Sequence, residues 1–175
     1  MLIRLANRIK HLKKRLANNE QYIANLRLEG MQIGNGCVIH KRAIIGTEPY
    51  LIKIGDNVRI TRGVKFITHD GGMWTLRKMG LLENADRFGE IYIGDNSNIG
   101  WDVTIMPGVS IGKNCVIGCG AIVTKNIPDN SIAVGVPAKV IETIEEYYLK
   151  NKESCVFTKN LNPEEKKKFL LDMYS

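Results

Sequence analysis

Through most of this chain a large apolar residue returns every six positions, at Ile33, Ile39, Ile45, Ile54, Ile60, Phe66, Ile93, Ile99, Ile105, Ile111, Ile117 and Val123. A period of six fits neither the 3.6-residue turn of a helix nor the two-residue alternation of a half-buried strand. Three positions after the anchors stand Gly36, Arg42, Glu48, Asn57, Gly63, His69, Asn96, Asp102, Gly108, Asn114, Gly120 and Asn126. Nine of these twelve are Gly, Asn or Asp, the types that tolerate a left-handed backbone, so this position turns a corner. Four positions after the anchors the residues are mostly small or β-branched, among them Cys37, Ala43, Val58, Val64, Ser97, Val103, Val109, Cys115 and Ala121. One inward position and one turning position per hexapeptide describe a coil of short parallel strands. No such strand buries its apolar face alone, so coils must stack until the anchors form continuous columns. With three hexapeptides per triangular turn, the expected fold is all-β, a parallel β-helix of about four to five coils spaced at about 4.8 Å.

The interruptions carry as much information as the repeat. Between Ile45 and Ile54 the step is nine residues and contains Pro49, which predicts a small bulge at one corner. Between Phe66 and Ile93 the chain inserts residues 69–90, with Gly71, Gly72, Gly80 and Gly89 among Trp74, Arg77, Lys78 and Arg87. A loop this long inside a compact repeat is characteristically functional. Its mixture of apolar and basic residues suits a flap over a polar or anionic ligand. The expected organisation is an N-terminal helical segment over 1–32, the coil with its inserted loop over 33–141, and a helical tail over 142–175.

The flanks read as helices. Leu2, Leu5, Ile9, Leu12, Leu16, Ile23 and Leu26 make an apolar stripe at three- and four-residue spacing. Arg4, Arg8, Lys10, Lys13, Lys14 and Arg15 lie on its polar face, and no acid precedes Glu20. Such a basic amphipathic helix either lies on an anionic membrane surface or packs on the first coil or another subunit. At the other end, Asn162-Pro163-Glu164-Glu165 reads as an N-cap, a proline in the first turn and acids at the helix start, with Phe169, Leu170 and Met173 as a packed side. The tails are expected to cover the ends of the coil.

The formal net charge of +7 is carried largely by the first seventeen residues. No nucleic-acid motif accompanies it, and aromatics are not interleaved with the basic run, so no nucleic-acid partner is expected. No apolar stretch approaches the roughly 20 residues of a membrane span, and the N-terminus lacks the apolar core of a signal peptide. The four cysteines have no zinc spacing. Cys37 and Cys115 fall at the small inward position, where a thiol behaves as a small hydrophobe, which points to a reducing, cytoplasmic compartment.

The chain has three histidines, His11, His40 and His69. His69 takes a corner position where Gly or Asn is usual, and it opens the long insertion. A histidine there is a candidate general base for a hydroxyl or amine nucleophile, because imidazole accepts a proton near neutral pH. Its second nitrogen needs an orienting partner, for which Asp70, Glu90 and Asp102 are the candidates. His40 is read as a surface residue.

At these residues the chain resembles the hexapeptide-repeat acyltransferases. The resemblance covers roughly residues 33–141. It is carried by the repeat, by Gly118-Cys119-Gly120-Ala121-Ile122-Val123-Thr124-Lys125-Asn126-Ile127-Pro128, and by the exit Ala133-Val134-Gly135-Val136-Pro137-Ala138-Lys139-Val140-Ile141. It is nearest to the galactoside and maltose acetyltransferases and the O-acetyltransferases of bacterial surface polysaccharides. Residues 60–72, with His69-Asp70-Gly71-Gly72, are similar to the last group. The resemblance implies a left-handed coil, a homotrimer with active sites between subunits, acetyl-CoA as co-substrate and no metal. It makes His69 the catalytic base, and it assigns Trp101, Cys119, Thr124, Lys125 and Lys139 to the coenzyme. Two departures stand out: Asn98 where the family often has Trp, and Asp70-Gly71-Gly72 where the sugar acetyltransferases have His-Pro after the base.

The implied function is transfer of an acetyl group to a sugar hydroxyl in surface-polysaccharide synthesis (capsule, O-antigen or exopolysaccharide). The acceptor would be a sugar, a nucleotide-sugar or a lipid-linked glycan, at the inner membrane surface if the basic helix docks there. Asp70, Trp74, Arg77 and Arg87 in the insertion are the candidate acceptor contacts, Trp74 as a stacking platform. An N-acetyltransferase of an amino sugar or antibiotic would look much the same. A non-catalytic scaffold fits the repeat but does not need His69 or the flap. A γ-type carbonic anhydrase would need three metal-binding histidines, and a serine acetyltransferase a longer N-terminal helical domain.

Overall fold

The structure is a computed structural model that describes residues 18–175. The stretch from Leu2 to Leu16, with its six cations, lies outside the described residues. Helix α1 (Asn19–Leu28) starts from a capping box in which Asn18 Oδ1 accepts from Gln21 N at 2.9 Å and the Gln21 side chain accepts from Asn18 N at 3.1 Å. Four coils of three short strands follow. They are β1 (Gln32–Ile33), β2 (Val38–Ile39), β3 (Ile44–Ile45); β4 (Ile52–Ile54), β5 (Arg59–Ile60), β6 (Lys65–Phe66); β7 (Ile91–Ile93), β8 (Asn98–Ile99), β9 (Thr104–Ile105); and β10 (Ser110–Ile111), β11 (Val116–Ile117), β12 (Ile122–Val123).

Strands one coil apart pair in parallel and in strict register, so the repeat becomes three flat faces. The first is β1-β4-β7-β10, the second β2-β5-β8-β11 and the third β3-β6-β9-β12. The register stacks anchor on anchor: Ile33 on Ile54, Ile54 on Ile93, Ile93 on Ile111; Ile39 on Ile60, Ile60 on Ile99, Ile99 on Ile117; Ile45 on Phe66, Phe66 on Ile105, Ile105 on Val123. From Phe66 to Val123 every anchor is fully buried, and each such side chain stabilises by about 1.5–3 kcal/mol. The small residues Val58, Ser97, Cys115, Val64, Val103 and Ala121 are buried beside them.

Both ends of the stack are closed. At the start α1 buries Tyr22, Ile23 and Leu26 on the first coil. Asn19 Nδ2 donates to Cys37 O at 2.9 Å, Ile39 N donates to Asn19 Oδ1 at 3.0 Å, and Arg27 Nη2 donates to Ile33 O and Gly34 O. This half of the expected N-terminal helix therefore caps the coil, satisfying strand groups that would otherwise be an open edge. At the far end Ile127 continues the first face, β13 (Ser131–Val134) adds to β11, and β14 (Lys139–Thr143) turns back antiparallel on β13.

The insertion holds one short helix, α2 (Met73–Lys78), and the tail holds α3 (Ile144–Asn151) and α4 (Pro163–Tyr174). Helix α4 has the predicted start. Asn162 Oδ1 accepts from Glu164 N and Glu165 N, both at 3.0 Å, and Asn162 N donates to Glu165 Oε2 at 2.9 Å. Its expected packed side is not buried: Phe169 and Met173 are 42% and 50% exposed, Leu170 is half-buried, and α4 buries none of its residues. The local caps suffice to specify the helix, but among the described residues none buries its apolar side. Among the described residues no helix is long and apolar enough to cross a membrane.

Candidate active site

Each coil has three corners, and they differ in chemistry. The first corner is regular: Gly36, Asn57, Asn96, Asn114 and, on the fifth level, Asn130 all have φ between 54° and 67°. The four asparagine amides run up this edge as a ladder, with Nδ2-to-Oδ1 distances of 3.3, 3.1 and 2.8 Å. At the third corner the left-handed conformation is kept by Gly108, whereas Glu48, His69 and Asn126 do not adopt it. That corner also carries both interruptions of the repeat, a 3-10 turn at Pro49–Leu51 and the 69–90 insertion.

Glu48 follows Ile45 by three and His69 follows Phe66 by three. Because Ile45 pairs with Phe66, the two residues stack one coil apart. His69 Nδ1 lies 3.2 Å from Glu48 Oε2, with the imidazole 48% exposed and the Glu48 side chain 12% exposed. Thr68, fully buried, donates to the same Glu48 oxygen at 2.6 Å, and the Thr47 hydroxyl donates to Oε1. These bonds, first from Thr47, then from Thr68 and His69, hold the Glu48 carboxyl down to about 2 against the opposing effect of burial. The ring of Phe88 meets the His69 ring edge-on at a centroid distance of 6.2 Å. An imidazole whose Nδ1 faces a carboxylate presents Nε2 outward as a proton acceptor, which is the arrangement a general base requires.

The insertion is closed at its neck directly beside this pair. His69 and Phe88 form an antiparallel bridge, Gly89 N donates to Thr68 O at 2.9 Å, and Asp70 N donates to Arg87 O at 2.8 Å. Gly89 is required where the loop rejoins the coil, since a Cβ there would meet Gly108 N at 2.3 Å. Asp70 accepts from Gly72 N at 2.9 Å and lies 3.4 Å from Arg87 Nη1. Arg77 donates to Ala85 O and Asp86 Oδ1. Three of the four residues expected to touch the acceptor, Asp70, Arg77 and Arg87, thus spend polar groups on shaping the loop. Trp74 is 60% exposed beside a shallow hollow of about 350 Å³ that it lines with Arg77, Lys78, Glu83 and Asn84, and the Lys78 ammonium stands 5.8 Å from its ring.

None of the orienting partners expected from sequence is the one found. Asp70 is tied to Arg87, Glu90 is taken by Lys53 Nζ at 2.7 Å, and Asp102 belongs to the second corner. Sequence reasoning passed over Glu48 although it carried a usable signal: like His69, it occupies a corner where a left-handed residue is usual.

The five residues assigned to the coenzyme fall into separate groups. Thr124 and Lys125 are exposed at the third corner, two coils beyond His69, about 10 Å along the axis. Trp101 and Cys119 are exposed on the second corner in adjacent coils, linked by Gly120 N donating to Trp101 O at 2.7 Å, and the Arg62 guanidinium stands 6.0 Å from the Trp101 ring. Lys139 is exposed on β14, opposite Val134. Within one chain the third face separates His69 from Trp101 and Cys119. Among the described residues no group of three or more His, Cys, Asp and Glu is arranged to hold a metal ion, and all four thiols are free.

Comparison with known proteins agrees with this architecture. The family profile described as the hexapeptide repeat of succinyl-transferase matches residues 90–125. Protein CapG of Staphylococcus aureus is 46% identical over 168 residues, 95% of this chain and 94% of that protein. The galactoside O-acetyltransferase of Escherichia coli K12 is 44% identical over 109 residues, 59% of this chain and 52% of that enzyme. Among solved structures, a maltose O-acetyltransferase from Clostridium difficile 630 superposes with a TM-score of 0.56 at 28% identity, covering 80% of this chain and 84% of that one. The chain belongs to the hexapeptide-repeat acetyltransferase family. A further hexapeptide-repeat acetyltransferase, from Vibrio cholerae and solved with acetyl coenzyme A, superposes with a TM-score of 0.57 at 26% identity, covering 65% of this chain and 60% of that one. Membership in the hexapeptide-repeat acetyltransferases supplies the left hand of the coil, which the strand pairings alone leave open.

Proposed function

We propose that this protein is an acetyl-CoA-dependent O-acetyltransferase that acts on a sugar hydroxyl during bacterial surface-polysaccharide synthesis. The observation that carries the reading is His69, held at the neck of the insertion with Nδ1 on a carboxylate and its imidazole half-exposed. In the reaction, Nε2 takes the proton of the acceptor hydroxyl as its oxygen attacks the thioester carbonyl. Collapse of the tetrahedral adduct breaks the C–S bond, and the imidazolium returns the proton to the departing thiolate. Holding both substrates in one cleft supplies proximity, and the base adds about 10²–10⁴-fold.

The acetyl-CoA complex of the Vibrio relative and the sugar acetyltransferases among the relatives support the co-substrate and the acceptor class. The separation of His69 from Trp101 and Cys119 across the third face supports a site shared between neighbouring chains of a homotrimer. In that site one chain contributes His69, Thr124 and Lys125, and its neighbour contributes Trp101 and Cys119. Lys139 meets the coenzyme phosphates as a single point charge. In the flap, Trp74 offers a stacking face for the sugar, with Asp70, Arg77 and Arg87 holding that face in place. Six Lys and Arg residues among the first seventeen support a contact with anionic lipid at the inner membrane surface.

Calorimetric titration of acetyl-CoA, with molar mass from light scattering, tests this reading. One site per chain in a trimer is expected, followed by a 42-dalton mass gain on a sugar acceptor, a nucleotide-sugar or a lipid-linked glycan. Absence of binding by a folded trimer contradicts it and leaves a scaffold role. Acetylation confined to amine acceptors moves the activity to the N-acetyltransferases.

A further inference from the structure

A base that works through Nε2 must be held at Nδ1, and the stacking of the two irregular corners supplies that hold. Glu48 is not needed to turn its corner, because Gly108 turns the equivalent corner of the third coil with ordinary left-handed geometry. Its position follows from the pairing of Ile45 with Phe66, which sets Glu48 and His69 three residues past paired anchors and one coil apart. Oε2 receives both His69 Nδ1 at 3.2 Å and Thr68 Oγ1 at 2.6 Å, and Oε1 receives the Thr47 hydroxyl. An ionised carboxylate only accepts, so Nδ1 must carry the proton that meets it. The two threonines keep that carboxylate ionised, which agrees with its value of about 2. Phe88, edge-on to the imidazole, flanks the ring. The other carboxylates of the region are engaged elsewhere, Asp70 with Arg87 and Glu90 with Lys53.

The geometry points to Glu48 as the positioning residue of His69: it fixes the Nδ1–H tautomer and stabilises the imidazolium formed when Nε2 accepts the acceptor's proton. Glu48 does not itself take up a proton. The Nδ1 proton stays on the ring throughout, and only the Nε2 proton passes from acceptor to thiolate. The inference rests on His69 being the base of the proposed transfer, but the state of the ring is observable without turnover.

Nitrogen-15 NMR of histidine-labelled full-length protein reads the tautomer directly. The Nδ1–H form of His69 is expected in the unsubstituted protein. Glu48→Gln can still accept from Nδ1 and should keep this form, whereas Glu48→Leu should lose the preference. In the acetyl-transfer assay Glu48→Gln is expected to lower kcat about 10–100-fold with the acetyl-CoA dissociation constant unchanged. An Nε2–H tautomer in the unsubstituted protein overturns the inference, as does a Glu48→Gln kcat within about twofold of the starting protein. If the variants do not fold, the tautomer of the unsubstituted protein decides alone. Full activity in His69→Ala would remove the base assignment while leaving the tautomer result intact, so the two failures are distinguishable.

Discussion

The first and third corners of this coil turn the same chain with different residues. At the first corner the repeat is obeyed at every level: a glycine and four asparagines in left-handed geometry, their amides joined up the edge. At the third corner the repeat is interrupted twice, and Glu48 and His69 stand where turn formers would. Where the period holds, residues are explained by packing and turn geometry alone. Where it fails, a half-exposed imidazole stands beside a flap with a largely buried carboxylate behind it.

Substitutions at the two corners should therefore separate activity from stability. The largest effect is expected from His69→Ala, which should lower kcat by about 10²–10⁴-fold while leaving the melting temperature and acetyl-CoA affinity nearly unchanged. A variant that keeps more than about a tenth of the turnover contradicts the base assignment. Next is Gly89→Ala, whose Cβ would push the returning loop off Gly108. A displacement near 1 Å at the neck costs about 10²-fold in rate, read as kcat in a folded variant; unchanged kcat would show that the loop neck does not set the site.

At the first corner the prediction reverses. Asn96→Ala loses two ladder contacts and keeps a left-handed backbone, so urea denaturation should show about 1–2 kcal/mol of lost stability, with kcat per folded molecule unchanged. Asn96→Gly, free of the conformational penalty, should recover part of that loss. A further effect belongs to acid titration. Because the folded-state value of Glu48 is lowered from 4.5 to about 2, its contribution is complete above about pH 4.5 and is lost as pH falls through about 2. Glu48→Gln should flatten stability against pH in that window, measured by denaturant midpoints, and leave the slope above pH 5 alone.

Much of this is legible in the sequence, because in a coil of identical turns a local pattern is also a tertiary pattern. Every anchor from Ile33 to Val123 falls in a strand at its expected place, and Asn162-Pro163 starts a helix as its side-chain chemistry dictates. What was not legible depends on register between coils. Glu48 reaches His69 only because the extra residues of the nine-residue step fall after the corner and not before it, and no single hexapeptide shows that. Arg77 and Arg87 read as ligand contacts because their partners Asp86 and Asp70 are brought close by the fold of the insertion. The apolar residues of α4 predicted burial, but periodicity does not say which surface covers a helix face.

A crystal structure of the protein with acetyl-CoA bound tests the central claim most directly, that the broken corner is the reaction centre. The account predicts the thioester carbonyl within about 3–4 Å of where a hydroxyl bonded to His69 Nε2 would sit, with Trp101 of a neighbouring chain along the coenzyme. A thioester seated against the regular first corner, or anywhere out of reach of His69, would contradict it.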